Sequence, residues 1–334
     1  MKLLNLLLLS KNLLSTRYFH SQVVAMSSSS SDIVKSSKNH VKVGIVQMSV
    51  DPIDKEVNIK NAEKHINDVV SLGSELIVLP EVWNSPYAAA SFPPYAEYIP
   101  SIGISHEDID SNQSPSTKML GEMAMKHNIW LIGGSIPEKA MINNDEKIFN
   151  TCPIFNSKGE LVAKHRKVHL FDIDVKEPQP MYFKESETLT AGDDYTIIET
   201  PWGKVGIGIC YDIRFPEFAL NMRKMGVKML CYPGAFNMVT GPAHWELLAR
   251  TRAVDNQVFT ILCSPARVVP EEKDSKRYVA YGHSLVCDPW GEIKLDADIN
   301  VCTKMVELDL SRLDEVRGSV PYWEQKRHDL YHLS

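Results

Sequence analysis

From residue 41 onward the chain alternates between short runs of aliphatic and β-branched residues and longer stretches with helical periodicity. The runs predict strands over 41–48, 75–80, 129–133, 150–156, 196–200, 204–210, 227–232, 258–264, 283–287 and 304–308. Leu76-Ile77-Val78-Leu79 is apolar without a break, as expected of a strand covered on both faces. Between the first two runs, Ile59, Ala62, Ile66, Val69 and Val70 recur at the spacing of one helix face. Further helices are predicted over 116–127, 216–226 and 242–256. For the last, Thr240 or Gly241 stands where a cap belongs and Pro242 in the first turn, and Ala243, Leu247, Arg250 and Val254 share a face. With no internal repeat or low-complexity insert, residues 41–334 read as one continuous α/β domain of strands sandwiched against helices.

The start of the chain is different. Residues 1–31 carry Lys2, Lys11 and Arg17, many leucines and serines, and no acid, the composition of a mitochondrial targeting segment; the cytoplasm is the alternative location. The apolar block Leu3 to Leu9 is too short to span a membrane, which takes about 20 apolar residues. The serines at 27–31 lead into residues 32–40, which read as a disordered linker. Across all 334 residues, 36 basic against 42 acidic side chains give a formal charge of −6. Without a basic stripe, nucleic acid is not an expected partner, and no membrane association is expected. The six cysteines form no CxxC pair, so neither a zinc site nor a disulfide framework is indicated. The expectation is reduced thiols, one reactive and five packing.

The reactive one is Cys210. It closes the apolar run Lys204-Val205-Gly206-Ile207-Gly208-Ile209 and precedes the polar Tyr211-Asp212-Ile213-Arg214. A thiol where a buried strand gives way to a turn can reach a carbonyl, with backbone N–H groups beside it for the developing oxyanion. Attack needs a base, because a thiol of pKa about 8.5 is largely protonated at neutrality. Among the histidines only His169 and His244 have suggestive settings. Glu81, emerging from Leu76-Ile77-Val78-Leu79-Pro80, is the better candidate, since a partly desolvated carboxyl exchanges protons near neutral pH. Lys167, in Lys164-His165-Arg166-Lys167-Val168-His169-Leu170-Phe171-Asp172, belongs either to a solvated basic turn or points inward to stabilise thiolate and oxyanion. Glu185 is a candidate to hold it.

Three separated motifs carry a resemblance. Pro80-Glu81-Val82-Trp83, the segment His165 to Asp172, and Gly208-Ile209-Cys210-Tyr211-Asp212-Ile213-Arg214-Phe215-Pro216-Glu217 match in order and spacing the Glu-Lys-Cys signature of the nitrilase, or carbon–nitrogen hydrolase, superfamily. The resemblance implies a general base at Glu81, an oxyanion stabiliser at Lys167, a nucleophile at Cys210, a second glutamate at Glu185 and an oxyanion N–H at Tyr211. The implied fold is an αββα sandwich that dimerises into an αββααββα stack, with no cofactor and no metal.

The segment from Tyr232 to Leu248, Asn84-Ser85-Pro86-Tyr87 and the closing Gln325-Lys326-Arg327-His328-Asp329-Leu330-Tyr331 look like the omega-amidase branch. That branch implies hydrolysis of 2-oxoglutaramate and 2-oxosuccinamate to 2-oxoglutarate or oxaloacetate plus ammonia. The substrate class is then a dicarboxylic acid monoamide. Arg214 is the natural grip for its far carboxylate unless it pairs with Asp212 or Glu217; Tyr87 and Thr240 are further candidates. A deaminated-glutathione amidase would use the same machinery, and a non-catalytic interaction protein would be expected to lose one of the three reacting groups.

Overall fold

The computed structural model describes residues 22–23, 38–50, 53–177, 180–269, 278–327 and 329–330. The expected targeting segment, apart from Gln22 and Val23, and residues 32–37 of the expected linker lie outside them, while His40, expected in the linker, already opens a strand. The first half runs β1 (Gln22–Val23), β2 (His40–Gln47), α1 (Lys55–Ser71), β3 (Leu76–Val78), α2 (Phe92–Tyr95), α3 (Pro115–His127), β4 (Trp130–Ile132), β5 (Ile136–Ile142), β6 (Asp145–Phe155) and β7 (Leu161–Arg166). The second half runs β8 (Asp172–Val175), β9 (Met181–Lys184), β10 (Thr196–Thr200), β11 (Gly203–Ile207), α4 (Pro216–Lys224), β12 (Met229–Pro233), α5 (Thr240–Asn256), β13 (Phe259–Cys263), β14 (Leu285–Cys287), β15 (Ile293–Asp296), β16 (Cys302–Asp309) and α6 (Ser311–Ser319).

Two mixed sheets carry the fold. One is ordered β16-β2-β3-β4-β6-β5, with β7 also on β6; the other is β1-β10-β11-β12-β13-β14-β15. Strands β2, β3 and β4 are mutually parallel, as are β11, β12 and β13.

Alternation along the buried strands builds the layers. Leu76, Val78 and Ile132 face Val205, Ile207, Cys231 and Ile261 in a core between the sheets. Ile77 and Leu131, pointing the other way, pack on Ala62, Ile66 and Val69 of α1 and Met119, Leu120 and Met123 of α3. Phe218 and Met222 of α4 and Trp245, Ala249 and Ala253 of α5 cover the second sheet. The result is the expected αββα sandwich. The Cys263 thiol lies 3.3 Å from the carbonyls of both Val46 and Val78, tying the sheets together.

Several expectations are corrected. Strand β11 ends at Ile207, so Cys210 begins a 3-10 turn, Cys210–Arg214, instead of ending the strand. Of the segment 164–172, for which a solvated basic turn is one reading, residues 164–166 end edge strand β7, whose side chains alternate between buried and half-buried. Strands β5, β8, β9 and β15 were not predicted: β8 and β15 carry charged residues at exposed positions, while β5 exposes Met141 and Ile142 and buries Glu138, the reverse of the expected pattern. Helix α5 begins at Thr240 with no capping side chain of its own; Asn237 Oδ1 instead accepts from the N–H groups of Val239 and Thr240, at 2.9 and 2.8 Å. Ala243, Leu247, Arg250 and Val254 do share a face of α5, but all four are exposed. All six cysteines are free, five of them buried.

Candidate active site

Glu81, Cys210 and Lys167 enter the same space from three strand ends, two of them carboxyl ends of parallel strands in opposite sheets. Ligands in α/β proteins gather at such ends. Glu81 follows β3 by way of Leu79 and Pro80. The turn is clamped there: the Val82 N–H donates to Ser135 Oγ at 3.1 Å, and Trp83 Nε1 donates to the Gly133 carbonyl at 2.8 Å. Val82 has φ 49°, a conformation that a β-branched residue adopts only when its surroundings force it. Cys210, at φ 46°, is held in the same strained region. Gly234 makes room for it: a Cβ there would come within 3.2 Å of the Cys210 Cα and of the Trp245 ring.

Lys167 follows β7 and is fully buried, as are Glu81 and Glu185. Its Nζ donates to Glu81 Oε1 and to Glu185 Oε1, both at 2.9 Å. Asn150 Nδ2 also donates to Glu81 Oε1, at 2.9 Å. The other oxygen, Glu81 Oε2, has no hydrogen-bond partner among the described residues. Glu185 follows β9, and its Oε2 accepts from the Phe171 N–H at 2.8 Å. Tyr87 donates its hydroxyl to Glu185 Oε1 at 3.1 Å and approaches Glu81 Oε1 at 3.5 Å.

The electrostatics follow from this burial. Desolvation alone would lower the Lys167 pKa, but the charges of Glu185 and Glu81 hold it well above the usual ammonium value. Burial raises Glu185, and Lys167 opposes the rise. Burial, and next the charge of Glu81, hold the Cys210 thiol well above its ordinary value; Lys167 and the Ala235 N–H pull the other way. Cys210 therefore rests as a thiol, with an unpartnered carboxylate oxygen nearby to take its proton.

Beside Glu81 opens a cavity of about 840 Å³ whose wall includes Tyr87, Met181, Phe183, Ala235, Asn237 and Tyr278, within the range of small-molecule sites. Tyr87 packs on Phe183 at 5.7 Å and on Tyr278 at 4.4 Å between ring centroids. Among the described residues no group of three or more His, Cys, Asp or Glu side chains could hold a metal ion.

The carbon–nitrogen hydrolase model matches residues 42–318. The chain belongs to the carbon–nitrogen hydrolases. It is 49% identical over 280 residues to nitrilase homolog 2 of Dictyostelium discoideum, covering 84% of this chain and 79% of that one. To omega-amidase NIT2 of Homo sapiens it is 44% identical over 290 residues, 87% of this chain and 96% of the relative. The crystal structure of Saccharomyces cerevisiae Nit3, described as a member of branch 10 of the nitrilase superfamily, superposes with a TM-score of 0.74 at 42% identity, over 87% of this chain and 97% of that one.

Of the residues singled out in this carbon–nitrogen hydrolase, Glu81, Lys167, Glu185 and Tyr87 form one hydrogen-bonded cluster, with Cys210 in its field. Tyr211 is the next residue on the Cys210 turn. Arg214 ends that turn, half-buried, with its guanidinium 4.7 Å from the Phe236 ring and 3.3 Å from His244 Nδ1. It pairs with neither Asp212 nor Glu217, because Asp212 is taken by His165 and His169. The Thr240 hydroxyl bonds Asn237 Oδ1 at 3.2 Å, and neither Thr240 nor Arg214 is on the cavity wall. His169, considered as a base, is instead bonded to Asp212 and stacked on Phe215 at 3.6 Å. Sequence reasoning missed Asn150, Tyr278 and the Ala235 N–H. Asn150 could have been found as a polar residue opening a buried run; Tyr278, beside Lys276-Arg277, gave no signal.

Proposed function

We propose that this hydrolase is an omega-amidase, releasing ammonia from the terminal amide of 2-oxoglutaramate or 2-oxosuccinamate. Glu81 Oε2 accepts the thiol proton as Cys210 Sγ attacks the amide carbon. The Lys167 ammonium and the Tyr211 N–H stabilise the tetrahedral oxyanion, and Glu81 returns its proton to the departing nitrogen, giving ammonia and a thioester. Water, losing a proton to the same carboxylate, then hydrolyses the thioester and regenerates the thiol. Glu185 holds the ammonium in place. The observation that carries the reading is the doubly anchored Lys167, bonded to both glutamates at 2.9 Å beside an unpartnered base oxygen and a thiol.

The omega-amidase names of the relatives and the half-buried Arg214, which has no carboxylate partner among the described residues, support a substrate with an anionic far end. A guanidinium grips such a carboxylate bidentately. Incubation with 2-oxoglutaramate, with ammonia assayed and the Cys210 peptide searched by mass spectrometry for an acyl adduct, tests the assignment. Turnover with an adduct supports it. Faster turnover of deaminated glutathione in the same assay would replace it.

A homodimer through the outward face of α5, where Leu247 and Val254 are exposed, completes the proposal; light scattering at micromolar concentration checks it. Residues 1–31 direct the chain to mitochondria in this reading, and a fluorescent fusion found in the cytoplasm would reject that part.

A further inference from the structure

We propose that Asp212 is a positioning residue that locks the Cys210 turn to the Lys167 segment, so that one buried carboxylate sets the geometry between nucleophile and ammonium. Asp212 lies two residues after Cys210 and is fully buried. Its Oδ2 accepts from the Ile209 N–H at 2.8 Å and from His165 Nε2 at 3.3 Å. Its Oδ1 accepts from the His169 N–H at 2.9 Å and from His169 Nδ1 at 2.7 Å. His165 and His169 stand two residues either side of Lys167, so both flanks of the ammonium carrier are tied to the nucleophile's own turn. The Ile209 bond acts on the other partner, fixing the residue before the strained Cys210.

The lock is braced from outside. His165 Nδ1 lies 3.0 Å from Thr196 Oγ1 on β10, and the His169 ring lies over Phe215. Burial would raise the Asp212 carboxyl, but the donors from His165 and His169 hold it far below the usual range, so it stays an anion. Replacing it with asparagine cannot preserve the set. Whichever oxygen becomes an amide nitrogen then faces a backbone N–H donor, from Ile209 or from His169.

The proposal rests on the amidase reading above, and its test keeps the two apart. Asp212→Asn is expected to lower kcat for 2-oxoglutaramate at least about 10²-fold, the scale of an ångström-sized misplacement, with KM within about twofold. In the Lys167→Met background the same change is expected to cost several-fold less, because the alignment it serves is already gone. Should Asp212→Asn fail to fold, His169 carries the test, its side chain being only partly buried. His169→Ala is expected to lose about tenfold in kcat. His169→Asn, whose Nδ2 takes the place of Nδ1, is expected to regain most of that. Equal impairment of the alanine and asparagine variants, or strictly additive losses with Lys167→Met, would overturn the proposal. If the wild type does not turn over 2-oxoglutaramate, the His169 comparison is read as the rate of iodoacetamide labelling at the Cys210 peptide, which needs no substrate. The same ordering supports the lock, and identical rates reject it.

Discussion

Replacing Lys167 with methionine keeps a long unbranched side chain and removes the charge between Glu81 and Glu185. Both carboxylates are fully buried and both bond the ammonium at 2.9 Å. Stripping one partner from a buried pair costs about 3–5 kcal/mol because the remaining charge is left uncompensated. The penalty is pH-dependent. Burial already raises Glu185, and the charge of Lys167 is the largest influence holding it down. Without Lys167 its folded pKa climbs further above the unfolded value of about 4.3. A carboxyl shifted upward contributes its stability below the unfolded pKa and loses it as pH rises through the folded one. The gap between wild type and Lys167→Met is therefore expected to be widest near pH 8. It should narrow towards pH 5, by about 1.4 kcal/mol for each unit of added shift. Urea denaturation of both proteins at half-unit intervals from pH 5 to 8 measures it. Parallel stability curves would refute the uncompensated-carboxylate argument, whatever happens to activity. The catalytic loss, at least about 10²- to 10³-fold from one missing oxyanion donor, is expected at every pH.

Arg214→Met is expected to raise KM for 2-oxoglutaramate about tenfold or more while sparing uncharged amides, since a charge-assisted bidentate grip is lost; steady-state kinetics on both substrates decides, and equal losses reject the assignment. Tyr87→Phe removes one donor from Glu185 but keeps the aromatic contacts. It should cost about tenfold in kcat, in line with about 1.5 kcal/mol for a hydrogen bond to a charged group, with little change in the melting temperature. Gly134→Ala places a Cβ 2.2 Å from the Pro80 carbonyl oxygen at a position with φ +66°. Displacement of Pro80 and Glu81 together should destabilise the protein by at least about 1–2 kcal/mol from the backbone strain alone and reduce activity in parallel, both read by calorimetry and ammonia release.

The buried parallel strands were legible because both faces are covered: Leu76-Ile77-Val78-Leu79 and the run around Leu230 have no exposed position to break the signal. Edge strand β7 was not, since Lys164 and Arg166 turn to the buried Glu138, which they bond at 2.7 and 2.8 Å. A run with charged residues at alternate places looks like a basic turn until the partner carboxylate is known. The same blindness affects the site. Glu81 and Cys210 announce themselves by following apolar runs. Tyr87 entered only through the resemblance and Tyr278 not at all, because both lie outside helix and strand where no local pattern says what they approach, whereas Asn150 sits within β6 as a polar residue in a buried run. In α5 the spacing of Leu247 and Val254 was read correctly, but periodicity gives a face without saying which neighbour, core or solvent, lies against it.

The charge arrangement explains why a thiol with a raised pKa suits this chemistry. Two carboxylates and one ammonium leave the buried cluster at a net charge of −1 with Cys210 neutral. Losing the thiol proton to solvent would add a second negative charge to a buried cluster, and burial and Glu81 both resist it. Passing the proton to Glu81 Oε2 instead moves one negative charge from carboxylate to sulfur and leaves the total unchanged. The thiolate then forms only while the proton stays inside the site, ready for the departing nitrogen. Lys167 can follow that charge from carboxylate to sulfur to oxyanion without moving far, because Glu185 keeps hold of it throughout. An arrangement with only one glutamate would leave the ammonium paired too tightly before transfer and too loosely after it, which gives the second carboxylate a physical reason to be there.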